Sequence, residues 1–101
     1  MKRLALVVAC ALALTGCHDF RDDLLIICDA PDKVKDKFPE NAKSAAKLAI
    51  IGEYIWEEVK TKDGKSLIIF LSTADRTKRG KVLRDLSQQY GIPACKLAEF
   101  Q

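Results

Sequence analysis

Ser66-Leu67-Ile68-Ile69-Phe70-Leu71 is the stretch on which the fold turns. Its β-branched and aromatic content suits a buried strand. Leu67, Ile68, Leu71 and Ala74, however, fall on one face of a helix, and no other segment offers a clear partner strand. A lone strand would leave its backbone N–H and C=O groups unpaired. The segment is therefore read as helix, and the chain as all-α.

Working upstream, Lys62-Asp63-Gly64-Lys65 carries a turn signal. The longest predicted helix precedes it, opening at Pro39 with Glu40 in its first turn and running to about Lys60. Its middle, Leu48 to Trp56, is apolar nearly all round, with Glu53 as the only charge. That pattern predicts packing from more than one side and a central place in the fold. Tyr54 and Trp56, at helical spacing with Ile51, Ile55 and Val59, are expected in the core. Nearer the N-terminus, Phe20, Leu24, Ile27 and Cys28 predict a short helix over residues 20–28. Asp22 and Asp23 suit the dipole at its start, and Asp29-Ala30-Pro31 ends it. Asp32 to Lys37 reads as a charged connector.

Downstream, Ser72-Thr73-Ala74-Asp75 has the Ser-x-x-Asp form of a capping box and predicts a new helix. Its core face is Val82, Leu83, Leu86 and Tyr90, with the stem of Arg79. Gly91 is placed as the C′ residue, with Ile92 making the Schellman contact. Pro93 permits a last short helix from Ala94 to Phe100. The expectation is a small helical domain of four to five short helices over residues 20–101.

The N-terminus has a separate character. Lys2 and Arg3 form a basic start, and Leu4 to Leu14 an apolar segment too short to span a bilayer as a helix. Leu14-Thr15-Gly16-Cys17 follows, and this pattern resembles the lipobox of bacterial lipoproteins. The resemblance implies a signal peptide over residues 1–16, cleavage after Gly16, and diacylation of the Cys17 sulfur, which becomes the acylated N-terminus. A single acyl chain holds a protein only marginally, at about 0.8 kcal/mol per buried methylene, whereas two or three hold it stably. Residues 17–19 leave a very short linker, reaching about 10 Å at most. The body is thus expected to ride against the headgroups. His18, which is not Asp, leans by the lipoprotein sorting rule towards the outer membrane, facing the periplasm; otherwise it reads as linker.

Loss of residues 1–16 from 101 leaves 85, one small domain with a modest core that a staple would help. It also takes Lys2 and Arg3 from the 17 basic residues, leaving 15 against 14 acids, a net charge of +1. The electrostatic case for nucleic-acid binding disappears. Of the 4 cysteines, Cys10 leaves with the signal and Cys17 carries lipid. Cys28 and Cys95 remain, and an oxidising compartment favours a disulfide between them. A redox pair or a metal site is the alternative. There is no Cys-x-x-Cys, and His18, the single histidine, is a poor supply for zinc. Cys28-Asp29-Ala30-Pro31, Leu83-Arg84 and Tyr90-Gly91-Ile92-Pro93-Ala94-Cys95-Lys96-Leu97 further resemble small uncharacterised exported proteins of Gram-negative bacteria. These pair an early cysteine with a late Gly-Ile-x-x-Cys-x-Leu; the resemblance implies the same disulfide and no activity.

Candidate sites are few. Glu53 inside an apolar helix would have the raised pKa a general acid needs if it were desolvated; on a solvated stripe with Glu57 and Lys60 it is ordinary surface. Arg76, Lys78, Lys81 and Arg84, with Arg79 nearby, make a basic run. Residues 77, 81, 84 and 88 share one helix side. Such a face can contact anionic headgroups, at about 1 kcal/mol per charge, or a protein partner, or it can simply be solvated, offset by Asp75 and Asp85. No Ser-His-Asp or Cys-His template, zincin motif or phosphate loop is present, and no catalytic residue, cofactor or metal is assigned. The expected function is a non-enzymatic, membrane-anchored envelope lipoprotein serving as an interaction, accessory, inhibitor or immunity module. It would meet a protein partner near the membrane surface. Its alternatives are a small hydrolase of envelope polymers or a thiol redox protein.

Overall fold

The computed structural model describes residues 18–100. The expected signal segment 1–16 and Cys17 lie outside the described residues. Four α-helices follow in order: α1 Phe20–Lys33, α2 Ser44–Glu58, α3 Lys62–Thr73 and α4 Arg76–Gln89. Single 3-10 turns lie at Lys35–Lys37 and Leu97–Glu99, and no strand occurs among the described residues. The all-α expectation holds. Ser66 to Leu71 lies inside α3, where Leu67, Ile68 and Leu71 are buried and Ile69 and Phe70 exposed. That is the phase of a helix, since a strand would bury alternate residues.

The centre of the fold is α1, not α2 as the apolar run had suggested. Leu24, Ile27, Cys28 and Ala30 on α1 are all at most 1% exposed, whereas α2 buries only Ile51 and Ile55. α1 packs against α2, α3 and the C-terminal turn, while Ala45, Ala46 and Ala49 of α2 face solvent. Trp56, expected in the core, is 45% exposed, and Tyr54 is half-buried. Small side chains on α2 gave it a uniformly apolar look without requiring it to be enclosed.

Four boundaries also differ from expectation, each for a local reason. α1 does not stop at Cys28: Pro31 lies within its last turn, and the Val34 N–H still reaches the Ala30 carbonyl at 3.1 Å. Pro31 and Val34 are buried, which offsets the one bond the proline ring removes. α2 opens at Ser44 rather than Pro39, because Asn41 adopts φ 65°, a left-handed conformation no right-handed helix can contain. The Lys62-Asp63-Gly64-Lys65 segment is the first turn of α3, capped by Thr61, whose hydroxyl accepts from Gly64 N at 2.9 Å. The cap of α4 is Asp75, accepting from Lys78 N at 2.8 Å; Ser72 instead donates back to the Ile69 carbonyl at 2.7 Å within α3.

The end of α4 matches its reading. Ile92 N bonds the Ser87 carbonyl at 2.8 Å and Gly91 N the Gln88 carbonyl at 3.3 Å, the paired bonds of a Schellman motif. Gly91 supplies the required positive φ, 72°. The last predicted helix, Ala94 to Phe100, reduces to the turn Leu97–Glu99, which buries Leu97 and brings Phe100 within 6.2 Å of Phe38 between ring centroids. The Cys28–Cys95 disulfide, 67 residues apart in sequence, ties this tail to α1. No helix among the described residues is long and apolar enough to cross a membrane.

Candidate functional site

Where the described chain begins, α1 meets the loop between α2 and α3, and a buried carboxylate joins them. Asp23 is 0% exposed. Its oxygens accept from Lys60 N at 3.1 and 3.2 Å, Thr61 N at 2.7 Å and Thr61 Oγ1 at 2.5 Å. His18 Nε2 meets the Oδ1 oxygen as a further donor. Burial pushes the Asp23 carboxyl up, but the bonds from the Thr61 side chain, His18 and the Thr61 and Lys60 backbone outweigh it and hold it below its ordinary value.

Local sequence dictates this arrangement. Asp19 caps α1 in a reciprocal capping box with Asp22 at 3.0 and 3.2 Å, which fixes where the helix starts. One turn on, Asp23 faces inward beside Leu24. Thr61 uses one hydroxyl twice, accepting from Gly64 N and donating to Asp23. Gly64 must lack a side chain: a Cβ there would stand 2.5 Å from Val59 Cγ1 and 2.6 Å from Asp23 Oδ2. The same end of the body is closed by Phe20 edge-on to Tyr90 at 5.2 Å and by Arg21 Nε donating to the Tyr90 carbonyl at 2.8 Å.

The residue next to Cys17 is therefore not slack. His18 is bound to Asp23 and Asp19 is the cap of α1, so the short linker expected over residues 17–19 has almost no free length beyond Cys17. The expectation had assigned Asp23 to the helix dipole and His18 to the linker, and missed both as a pair. A signal was available: Asp23 lies on the helical stripe of Phe20 and Ile27, where an acid needs donors if the stripe is buried.

The other candidates are placed as follows. Cys28 and Cys95 are joined and are 1% and 6% exposed, with Ser87 Oγ 3.5 Å from Cys28 Sγ. Glu53 is exposed on α2 and lines no cavity described in the structure. Arg76, Lys78, Lys81 and Arg84 are all exposed along α4. Lys81 pairs with Asp85 at 3.0 Å and Arg84 with Glu99 at 3.3 Å, which offsets part of that face's charge. A shallow hollow of about 620 Å³ opens beside the disulfide, lined by Arg84, Ser87, Ile92, Cys95 and Glu99, and an apolar groove of about 280 Å³ lies between Ile51, Gly52, Ile55, Ile68 and Leu71. Among the described residues no three His, Cys, Asp or Glu side chains gather as metal ligands.

Compared with protein-family models, curated proteins and solved structures, the chain matches none.

Proposed function

We propose that this chain is a membrane-anchored envelope lipoprotein, acylated at Cys17, whose helical body works as a non-enzymatic interaction module close to the bilayer on the periplasmic side, with the outer membrane favoured. The partner is a protein near the membrane surface, and the role that of an accessory, inhibitor or immunity protein. The observation that carries this reading is the clasp of His18 by the buried Asp23. It leaves almost no free chain between Cys17 and the folded body, so acyl chains on Cys17 would hold the body close to the bilayer. The Leu14-Thr15-Gly16-Cys17 pattern supplies the chemistry of attachment.

Burial of both disulfide sulfurs weighs against a thiol redox protein, because exchange requires an attacking thiolate to reach a sulfur. Glu53 is exposed and lines none of the described cavities, which weighs against its use as a general acid on an enclosed substrate.

Replacing Cys17 by Ala and fractionating cells tests the anchor. The variant is expected to leave the membrane fraction, and its precursor to escape the globomycin-sensitive processing step. A variant that fractionates and matures as the wild type does would refute the reading.

A further inference from the structure

From the end of α1 to the first turn of α2 the chain carries Lys33, Lys35, Lys37, Lys43 and Lys47 against Asp36 and Glu40. That is a net charge of +3 in 15 residues, within a mature chain whose own net is +1. Asp32, next to this run, is taken up by Lys96. Among the described residues none of the five lysines stands in an ion pair. The run also breaks a local rule. Lys43 is the N-cap of α2, makes no side-chain capping bond, and no acid stands in the first turn. Cations at a helix start oppose its dipole and cost stability, and such local conflicts concentrate at functional surfaces.

Contacts tie the run to the tail and to α4. Lys47 Nζ stands 5.6 Å from the centroid of the Phe38 ring, and Phe38 lies 6.2 Å from Phe100. Phe100 in turn lines a polar hollow of about 220 Å³ with Arg76, Thr77, Gly80, Arg84 and Glu99. Arg84 is paired with Glu99 there, so the hollow adds little charge of its own. Phe38 and Phe100 are half-buried, which leaves apolar ring surface beside the lysines.

Topology fixes which end of the body this is. The described chain begins where Asp23 joins Lys60 and Thr61 and where Phe20 meets Tyr90. The starts of α1 and α3 and the ends of α2 and α4 therefore lie at the entry end. From Phe20 to Lys33, α1 advances about 20 Å, and the lysine run lies at its far end. That distance is more than twice the Debye length of about 8 Å at physiological salt. Headgroups beside the chain entry are screened from these lysines, so the occupant of the far end is something else.

We propose that the end of the body remote from the chain entry, formed by Lys35, Lys37, Lys43 and Lys47 with Phe38 and Phe100, is the docking surface for an acidic protein segment bearing an apolar side chain. The proposal rests on the anchored interaction module above and names its contact surface and the chemistry of its partner. Carboxylates of the segment steer its approach to the lysines. Its apolar side chain covers the two rings, where burial supplies affinity that exposed charge pairs do not. The aromatic pair beside the cations is what fits a protein segment better than a uniform anionic polymer.

The test uses the acylated mature protein in phosphatidylcholine vesicles and a fluorescein-labelled glutamate-rich peptide bearing one phenylalanine. The peptide's anisotropy should rise on binding, and its affinity should fall as salt is raised. A Lys35→Gln, Lys37→Gln, Lys47→Gln variant leaves the buried core untouched. It should keep its unfolding midpoint and bind the peptide about tenfold more weakly. The same charge change elsewhere, Lys60→Gln, Lys62→Gln, Lys81→Gln, should leave affinity within about twofold. A peptide with glycine in place of its phenylalanine should also bind more weakly. Equal loss in the two protein variants, equal binding of the two peptides, or no binding by the wild type overturns the proposal. So does loss of peptide binding when phosphatidylglycerol is added to the vesicles, because headgroups then occupy the surface. Unmodified Cys17 in protein isolated from membranes overturns the anchored reading instead, and the peptide results still decide the docking surface.

Discussion

A carboxylate without solvent contact needs donors, and Asp23 draws them from the chain start and from the α2–α3 loop together. Replacing it by Asn keeps the shape but turns an amide group towards N–H donors, leaving some of them unsatisfied. Asp23→Asn is expected to cost about 2–4 kcal/mol, read as a lower urea midpoint. An unchanged midpoint would remove Asp23 from its structural role. The acid limb follows from the same bonds. In the unfolded chain this carboxyl titrates near its ordinary value, about 3.9. In the folded protein it is held lower, burial being outweighed by the bonds from Thr61, His18 and Lys60. As pH falls, the unfolded state therefore takes up the proton first. The Asp23 contribution is complete from about pH 5, one unit above the unfolded value, and is lost as pH falls through the folded value, so a wild-type acid unfolding curve should be steeper than that of Asp23→Asn.

At the level of elements, α3 offers a direct test of its phase. Ile68 is 8% exposed and its neighbour Ile69 57%. Ile68→Ala should cost about 2–4 kcal/mol, and Ile69→Ala should fall within about 0.5 kcal/mol of wild type, measured by thermal or urea unfolding. A reversed order would mean that the helix is rotated. This element was legible because Leu67, Ile68 and Leu71 repeat with helical spacing and no partner strand was at hand. The end of α4 was legible because Gly91 is a residue whose backbone freedom has a specific use there. Starts were less legible. Pro39 fits a first helical turn equally well as it fits the turn it occupies, and the left-handed Asn41 that decides between them has no distinctive neighbour. Ser72 and Asp75 are both good caps, and only packing selects Asp75. The Asp23 cluster was hidden for a different reason: its donors, Lys60 and Thr61, are backbone and hydroxyl groups far along the chain, and no local pattern announces them.

For the molecule as a whole, closure comes from joining α1 to the tail. The Cys28–Cys95 bond spans 67 residues, and a loop of that length is worth about 4 kcal/mol in the chain-entropy account. A Cys28→Ala, Cys95→Ala double variant should show a lower Tm and earlier loss of protection at Ile92, Leu97 and Phe100 in hydrogen exchange. Wild-type thermal stability would deny the bond its stapling role. The pairing was legible from the cysteine inventory once Cys10 and Cys17 were set aside; the shape of the tail it holds was not, because Pro93 and Ala94 carry little periodicity. The whole body also has a polarity that no single element displays. His18, Asp23 and Thr61, with Arg21 bonded to the Tyr90 carbonyl, gather at the end of the body where the described chain begins. The most direct measurement is the intact mass of the N-terminal peptide from protein isolated from membranes. It should begin at Cys17 and carry the added mass of two or three acyl chains; a peptide that still contains residues 1–16, with an unmodified Cys17, would contradict the anchored body described above.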